Sequence, residues 1–164
     1  MLHLHKQHFK FDKKEISKQI GVGAVIFNDL KNDRTNDIEF NLEETLRFEG
    51  ETGPYLQYTY ARINSLLSKK QNITINYDNI NIDEYKWNII FRLYNFNDVI
   101  IKAKENFDPS LIAKYLLALS GDFNRLYANE KIIDDNQELT EFRLQLSEAV
   151  AIVLKEGMRL LNMD

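Results

Sequence analysis

The sequence predicts an all-α protein: an antiparallel bundle of about five helices, with an N-terminal helix and linker. Three observations carry this. Apolar residues recur at spacings of three and four through most of the chain. Helix starts are marked by prolines at Pro54 and Pro109. The one alternating stretch, Ile73, Ile75, Tyr77, Ile80 and Ile82, has no second strand to pair with and reads as a loop with apolar anchors.

In order, residues 1–12 read as a tail. Its His3, His5 and His8 alternate as chelating residues can, and solvation is the plainer alternative. A first helix begins at Lys13 with Ile16, Ile20, Phe27 and Leu30 on its stripe. Gly21 and Gly23 fall inside it, each costing about 1 kcal/mol relative to alanine, so close packing against another element is expected at both. A polar connection, 32–37, leads to Ile38, Phe40, Leu42, Leu46 and Phe48, which suit an extended piece and a turn or two of helix. A second helix runs from Pro54 to about Lys69. A third spans 83–105 with Trp87, Ile90, Leu93, Tyr94, Val99 and Ile100 or Ile101 facing inward. Asp108-Pro109-Ser110 announces a fourth, with the stripe Leu111, Tyr115, Leu119, Phe123 and Leu126. The fifth starts near Asn136 and carries Leu139, Phe142, Leu146, Val150, Val153, Leu154, Met158 and Leu161, with Glu141, Gln145, Glu148 and Ile152 on its outer face. The expected core includes Leu93, Leu116, Leu119, Phe142, Leu146 and Val150. No repeat or low-complexity tract is present.

The totals bound the function. With 164 residues, 44% hydrophobic and 12% aromatic, the chain suits one folded domain with an appendage. It has no cysteine, which excludes disulfides, thiol catalysis and thiolate metal sites and fits the cytoplasm. No apolar run approaches the roughly 20 residues needed to span a bilayer. The net charge of −4 argues against tight nonspecific RNA binding, though not against a base-reading site. Its strongest basic residues are Lys31, Arg34, Arg47, Arg62, Lys69 and Lys70; acids gather at Asp134, Asp135, Glu138 and Glu141.

The most informative segment is Gly50-Glu51-Thr52-Gly53-Pro54-Tyr55-Leu56-Gln57-Tyr58-Thr59-Tyr60-Ala61-Arg62. A glycine-rich turn leads at once into a helix opened by Pro54. Tyr55, Tyr58 and Arg62, at spacings of three and four, share a stripe. Two rings and a guanidinium in a row can stack on unpaired bases and hold a phosphate. Phe123 and Tyr127, four apart and flanking Asn124, offer a second aromatic face. Gln57 lies off the first stripe.

This segment, with the blocks 21–30 and Phe48-Glu49-Gly50 before it, resembles the part of arginyl-tRNA synthetases that leads into their anticodon-binding, DALR-type domain. The likeness covers about 20–164 and is strongest at 21–62. It implies that 13–53 is a helix and linker docking on a catalytic domain absent from this chain, and that 54–164 is the anticodon-binding bundle. It implies a tRNA specific for arginine as partner, no cofactor in this chain, and ATP in the parent enzyme. Carried over residue by residue, it gives tRNA binding to Tyr55, Tyr58 and Arg62, and to Phe123, Asn124 and Tyr127, with core packing as the alternative for Phe123, Tyr127 and Tyr58. It gives no role to Met163. The family's nucleotide motifs, His-x-Gly-His and Lys-Met-Ser-Lys-Ser, do not occur here, and Gly21-x-Gly23 is not a phosphate loop. The chain is therefore expected to lack catalysis of its own. A non-catalytic protein-interaction module is the rival from another class, and a fragment retaining amino-acid or nucleotide binding is a third.

Overall fold

The computed structural model describes residues 13–70 and 74–163. The tail with its three histidines lies outside them, as do the first residues of the 72–81 loop. Among the described residues there are seven α-helices and no strand: α1 (Lys13–Leu30), α2 (Leu42–Thr45), α3 (Gly53–Leu67), α4 (Glu84–Tyr94), α5 (Phe96–Asn106), α6 (Ser110–Asn129) and α7 (Gln137–Leu160). Tyr77–Asn79 form a single 3₁₀ turn within the loop.

Local chemistry sets the helix ends. Asn41 accepts from the amides of Glu43 and Glu44 at the start of α2, and Thr52 Oγ1 accepts from Tyr55 N at 3.2 Å to start α3. Asp83 and Asn136 cap α4 and α7 in the same way. At the end of α7, Asn162 takes a left-handed φ of 58°, and Met163 N donates back to Met158 O at 3.0 Å.

The helix expected over 83–105 is two helices. Asn95 interrupts it: its side chain donates to Phe91 O at 2.7 Å, and its backbone restarts the ladder by accepting from Val99 N. Tyr115 of α6 braces the break, donating its hydroxyl to Arg92 O at 2.8 Å and packing its ring 5.4 Å from Phe96. Burial of that hydroxyl pushes its pKa up to about 12. The break changes which residues face inward. Ile89 is fully buried, whereas Trp87, Tyr94 and Ile101 are exposed; Ile90, Leu93, Val99 and Ile100 are partly buried against the core.

One core unites the bundle: Phe27 from α1, Leu56 and Ile63 from α3, Leu116, Leu119, Phe123 and Leu126 from α6, and Leu144, Val150 and Leu154 from α7. Phe142 and Leu146 are buried as expected. The expected close packing occurs at Gly23 but not at Gly21. A Cβ on Gly23 would sit 2.8 Å from the Gln57 side chain, whereas one on Gly21 would meet nothing within 4 Å. Gly53 is tighter: a Cβ there would lie 2.9 Å from Gly23 O and 3.1 Å from Ala24 Cα. The helix α1 is thus pressed onto the start of α3.

The expectation that Glu141 lies on the outer face of α7 is corrected: it is 1% exposed. α7 packs against α3, α4 and α6, so it is covered on more than one side, and only positions such as Ile152 remain outward. Charge also enters the interior between α4, α6 and α7. Lys86 donates to Glu130 at 2.6 Å and to Asp83, and Arg143 reaches the other oxygen of Glu130 and Lys131 O at 2.7 Å. These pairs satisfy cations that burial would otherwise penalise.

Candidate nucleic-acid interface

Of the row Tyr55, Tyr58 and Arg62 expected on α3, Tyr58 and Arg62 stack, and Tyr127 from α6 joins them. Thr52 and Pro54 start α3 so that Leu56, Thr59 and Ile63 turn inward and are buried, while Tyr58 stays 48% exposed. Arg62, one turn on, is half-buried. Its guanidinium carbon lies 4.7 Å from the Tyr58 ring centre and 4.8 Å from that of Tyr127. The cation is therefore held between two aromatic rings from different helices, a contact worth about 0.5–2 kcal/mol per ring. Phe48 meets Tyr58 edge to face at 6.3 Å and extends the row. Phe48, Tyr58 and Tyr127 all expose ring surface.

Asn124 ties the row to the scaffold. Arg62 Nη1 donates to Asn124 Oδ1 at 2.6 Å. The Asn124 amide donates in turn to Tyr55 Oη at 2.9 Å and Thr59 Oγ1 at 3.0 Å. Thr59 Oγ1 donates in turn to Tyr55 O at 2.9 Å. The amide orientation follows from this pattern, since only its oxygen can accept from a guanidinium. Among the described residues, Arg62 makes no other hydrogen bond, so its remaining N–H donors are available to a ligand.

The six residues singled out by sequence thus fall into different places. Tyr58, Arg62 and Tyr127 form the stack. Tyr55 and Asn124 join it through hydrogen bonds, and the Tyr55 ring lines a separate cavity of about 440 Å³ with Arg92, Lys114 and Arg125. Phe123 is fully buried, so of the two alternatives it takes the core. Its ring lies 6.3 Å from Tyr127, tilted by 32°, and supports that residue from beneath. Thr59 was missed, because a threonine one turn after a tyrosine carries no signal until Asn124 arrives from α6. The place of Phe48 was hinted at only by the Phe48-Glu49-Gly50 block.

Among the described residues, no group of three or more histidines, aspartates or glutamates could hold a metal ion. No helix among them is long and apolar enough to cross a membrane.

Comparison with known proteins gives this row its context. Residues 56–164 match the family model described as DALR anticodon binding domain. The arginine–tRNA ligase of Lactobacillus johnsonii is 47% identical over 154 residues, which are 93% of this chain and 27% of that protein. Arginine–tRNA ligase 1 of Bacillus cereus is 48% identical over 153 residues, again 93% and 27%. The chain therefore spans about a quarter of the length of these relatives. Among solved structures, the Thermus thermophilus arginyl-tRNA synthetase superposes with a TM-score of 0.84 at 30% identity, over 96% of this chain and 28% of that one. The Plasmodium falciparum arginyl-tRNA synthetase gives 0.80 at 30% identity, over 93% and 28%. Over residues 56–164, this helical bundle belongs to the DALR anticodon binding domain family.

Proposed function

We propose that this chain binds the anticodon arm of an arginine-specific tRNA, on behalf of a parent enzyme that joins arginine to that tRNA using ATP. The carrying observation is the Tyr58–Arg62–Tyr127 stack within a DALR anticodon binding domain. Unpaired loop bases stack on aromatic rings, at about 1–3 kcal/mol per base. Tyr58 and Tyr127 supply ring surface, and Arg62 supplies donors for a phosphate or a base edge. Tyr55 and Asn124 hold Arg62 in place, and Phe123 supports Tyr127. The names of the relatives support arginine as the amino acid.

Catalysis and ATP belong to the rest of the parent, since this chain lacks the nucleotide motifs of the family. Its catalytic domain docks on 13–53. Val22, Val25, Ile38, Phe40, Leu42 and Leu46 are exposed apolar residues of that segment, and such surface favours burial against a partner. A tRNA partner supports a cytoplasmic setting for this work.

The test is titration of an arginine-tRNA anticodon-arm hairpin into the wild-type chain, Tyr58→Ala and Arg62→Ala. Both variants are expected to bind more weakly, and the chain alone to show no ATP–pyrophosphate exchange. Equal affinity of the wild type for a scrambled-loop hairpin would overturn the anticodon reading.

A further inference from the structure

Between α3 and α4, one face of α6 borders open space. Lys114, Ala118, Gly121 and Arg125 recur along that face at intervals of three and four. Ala118 and Gly121 have little or no side chain, and a Cβ on Gly121 would meet nothing within 4 Å. The space beside them is the cavity of about 440 Å³ that Tyr55 and Leu117 also line. It is a different place from the stacked row. Tyr55 stands between the two, lining the cavity while its hydroxyl accepts from Asn124 at 2.9 Å.

Three cations converge on this cavity. Arg92 comes from α4, and Lys114 and Arg125 come from positions about 16 Å apart along α6. Asp122 arranges two of them. Its carboxylate is 6% exposed; one oxygen accepts from Arg92 Nε at 2.5 Å, and the other lies 3.7 Å from Arg125 Nη1. Two guanidiniums that would repel each other are thereby held by one buried charge. The arrangement engages only Nε of Arg92. Among the described residues, no hydrogen bond occupies the Nη groups of Arg92 or any donor of Arg125. Lys114 makes one long bond, at 3.3 Å, to Ser110 Oγ. Glu51 and Asp122 are the carboxylates on the lining, so three positive charges there face two negative ones.

We infer that this cavity binds the terminal phosphate of a small phosphate monoester through Arg92, Lys114 and Arg125. A carboxylate offers two oxygens in one plane, which a single guanidinium satisfies. A terminal phosphate offers three acceptor oxygens around a tetrahedral centre, with a charge of about −1.5 to −2. Those oxygens can meet three cations that arrive from two helices. A phosphodiester within a nucleic-acid strand offers one charge and two free oxygens, and leaves one of the three cations unanswered. The cavity also exceeds a phosphate group in size. Leu117, Ala118 and Tyr55 give it apolar surface, which suits the organic part of the ester, a small ring or a nucleoside.

The test is isothermal titration of the full chain in phosphate-free buffer, with ionic strength held constant by chloride. The probes are inorganic phosphate, uridine 5′-monophosphate, uridine, and the diester UpU. Phosphate and the monophosphate are expected to bind, the monophosphate more tightly. Uridine should not bind, and UpU should bind several-fold more weakly than the monophosphate. Arg125→Ala removes a side chain that is 71% exposed, so the fold should persist while the monophosphate binds about ten-fold or more weakly. Gly121→Glu places a carboxylate in the cavity and a better helix former in α6; it should abolish binding while the melting curve stays cooperative. No binding of either phosphate probe overturns the site, as does binding that survives both substitutions. UpU binding as tightly as the monophosphate overturns the monoester. No RNA hairpin enters the titrations, so their outcome is independent of the stacked row.

Discussion

Asn124→Ala separates the positioning of Arg62 from its contact with RNA. The substitution removes three hydrogen bonds, at 2.6 Å from Arg62, 2.9 Å to Tyr55 and 3.0 Å to Thr59. Each neutral bond is worth about 0.5–1.5 kcal/mol net, and the bond to the guanidinium about 1.5–3. The full total is not lost. Thr59 keeps its bond to Tyr55 O, and Arg62 and Tyr55 reach solvent, so water replaces part of what is removed. A loss of about 1–2 kcal/mol in stability is expected by urea denaturation. Arg62 would remain between its two rings, but with more rotameric freedom. Re-ordering it on binding costs about 0.5–1.5 kcal/mol, so hairpin affinity should fall about two- to ten-fold. The salt dependence distinguishes the mechanisms. Asn124→Ala leaves the phosphate contact of Arg62 in the complex, so the slope of log affinity against log salt should not change. Arg62→Ala removes that contact and should reduce the slope by about 0.7 for a single strand. The reasoning is refuted if Asn124→Ala lowers stability but leaves affinity intact, since the tyrosines would then position Arg62 unaided. It is equally refuted if Asn124→Ala reduces the slope as Arg62→Ala does.

Three further outcomes are expected. Tyr58→Ala should weaken hairpin binding by about 1–3 kcal/mol with an unchanged circular dichroism spectrum, while Tyr58→Phe keeps most of the affinity. Gly53→Ala should destabilise by about 1–3 kcal/mol, because its Cβ would meet the α1 backbone. Gly21→Ala should stabilise by about 0.5–1 kcal/mol, because its Cβ would enter open space; thermal melts compare the two. In acid, Asp83 reports on the buried ion pairs: burial opposes its ionisation, but hydrogen bonds, first from Lys86, pull its pKa down to about 2. A depressed carboxylate pKa contributes stability above about pH 4, lost as the pH falls through about 2. With a third of the side chain exposed, that contribution is on the order of 1 kcal/mol after screening. Wild type should therefore lose more melting temperature between pH 5 and pH 2 than Asp83→Asn, which keeps the helix cap.

Where one residue decided an element, the sequence was readable. Pro54 announced α3, the tyrosine and arginine spacing placed Tyr58 beside Arg62, and the stripe of α6 named Leu119 as core; for Phe123 the sequence left RNA contact and core open, and burial decides for the core. Where the outcome depended on a neighbouring helix, it was not readable. Asn95 breaks a helix whose apolar period continues on both sides, and the bracing hydroxyl of Tyr115 comes from 20 residues downstream. Lys86 is 3% exposed because Glu130, at the far end of α6, meets it. Glu141 was assigned outward because a helical period supposes one buried face, whereas α7 has neighbours on several. In the site, Tyr127 approaches Arg62 only through the crossing of α3 and α6, and Asn124 acquires three partners from one helix by the same crossing.

The acidic net charge of −4 is compatible with an RNA-binding face whose affinity comes mainly from stacking. Asp83 and Glu130 are paired with Lys86, Glu130 also with Arg143, Asp122 with Arg92, and Glu148 with Lys70. These four carboxylates and four cations cancel one another, so the net charge of −4 lies on the other residues. The row itself is built from rings, with a single guanidinium between them. Affinity from such a surface comes mainly from stacking, which salt does not screen, and only in small part from counterion release. A preformed stack, with Arg62 already clamped at 4.7 and 4.8 Å between two rings, also avoids part of the ordering cost of binding. An acidic domain can then hold a few splayed bases firmly while holding duplex RNA weakly, the discrimination that reading one loop of a folded RNA requires.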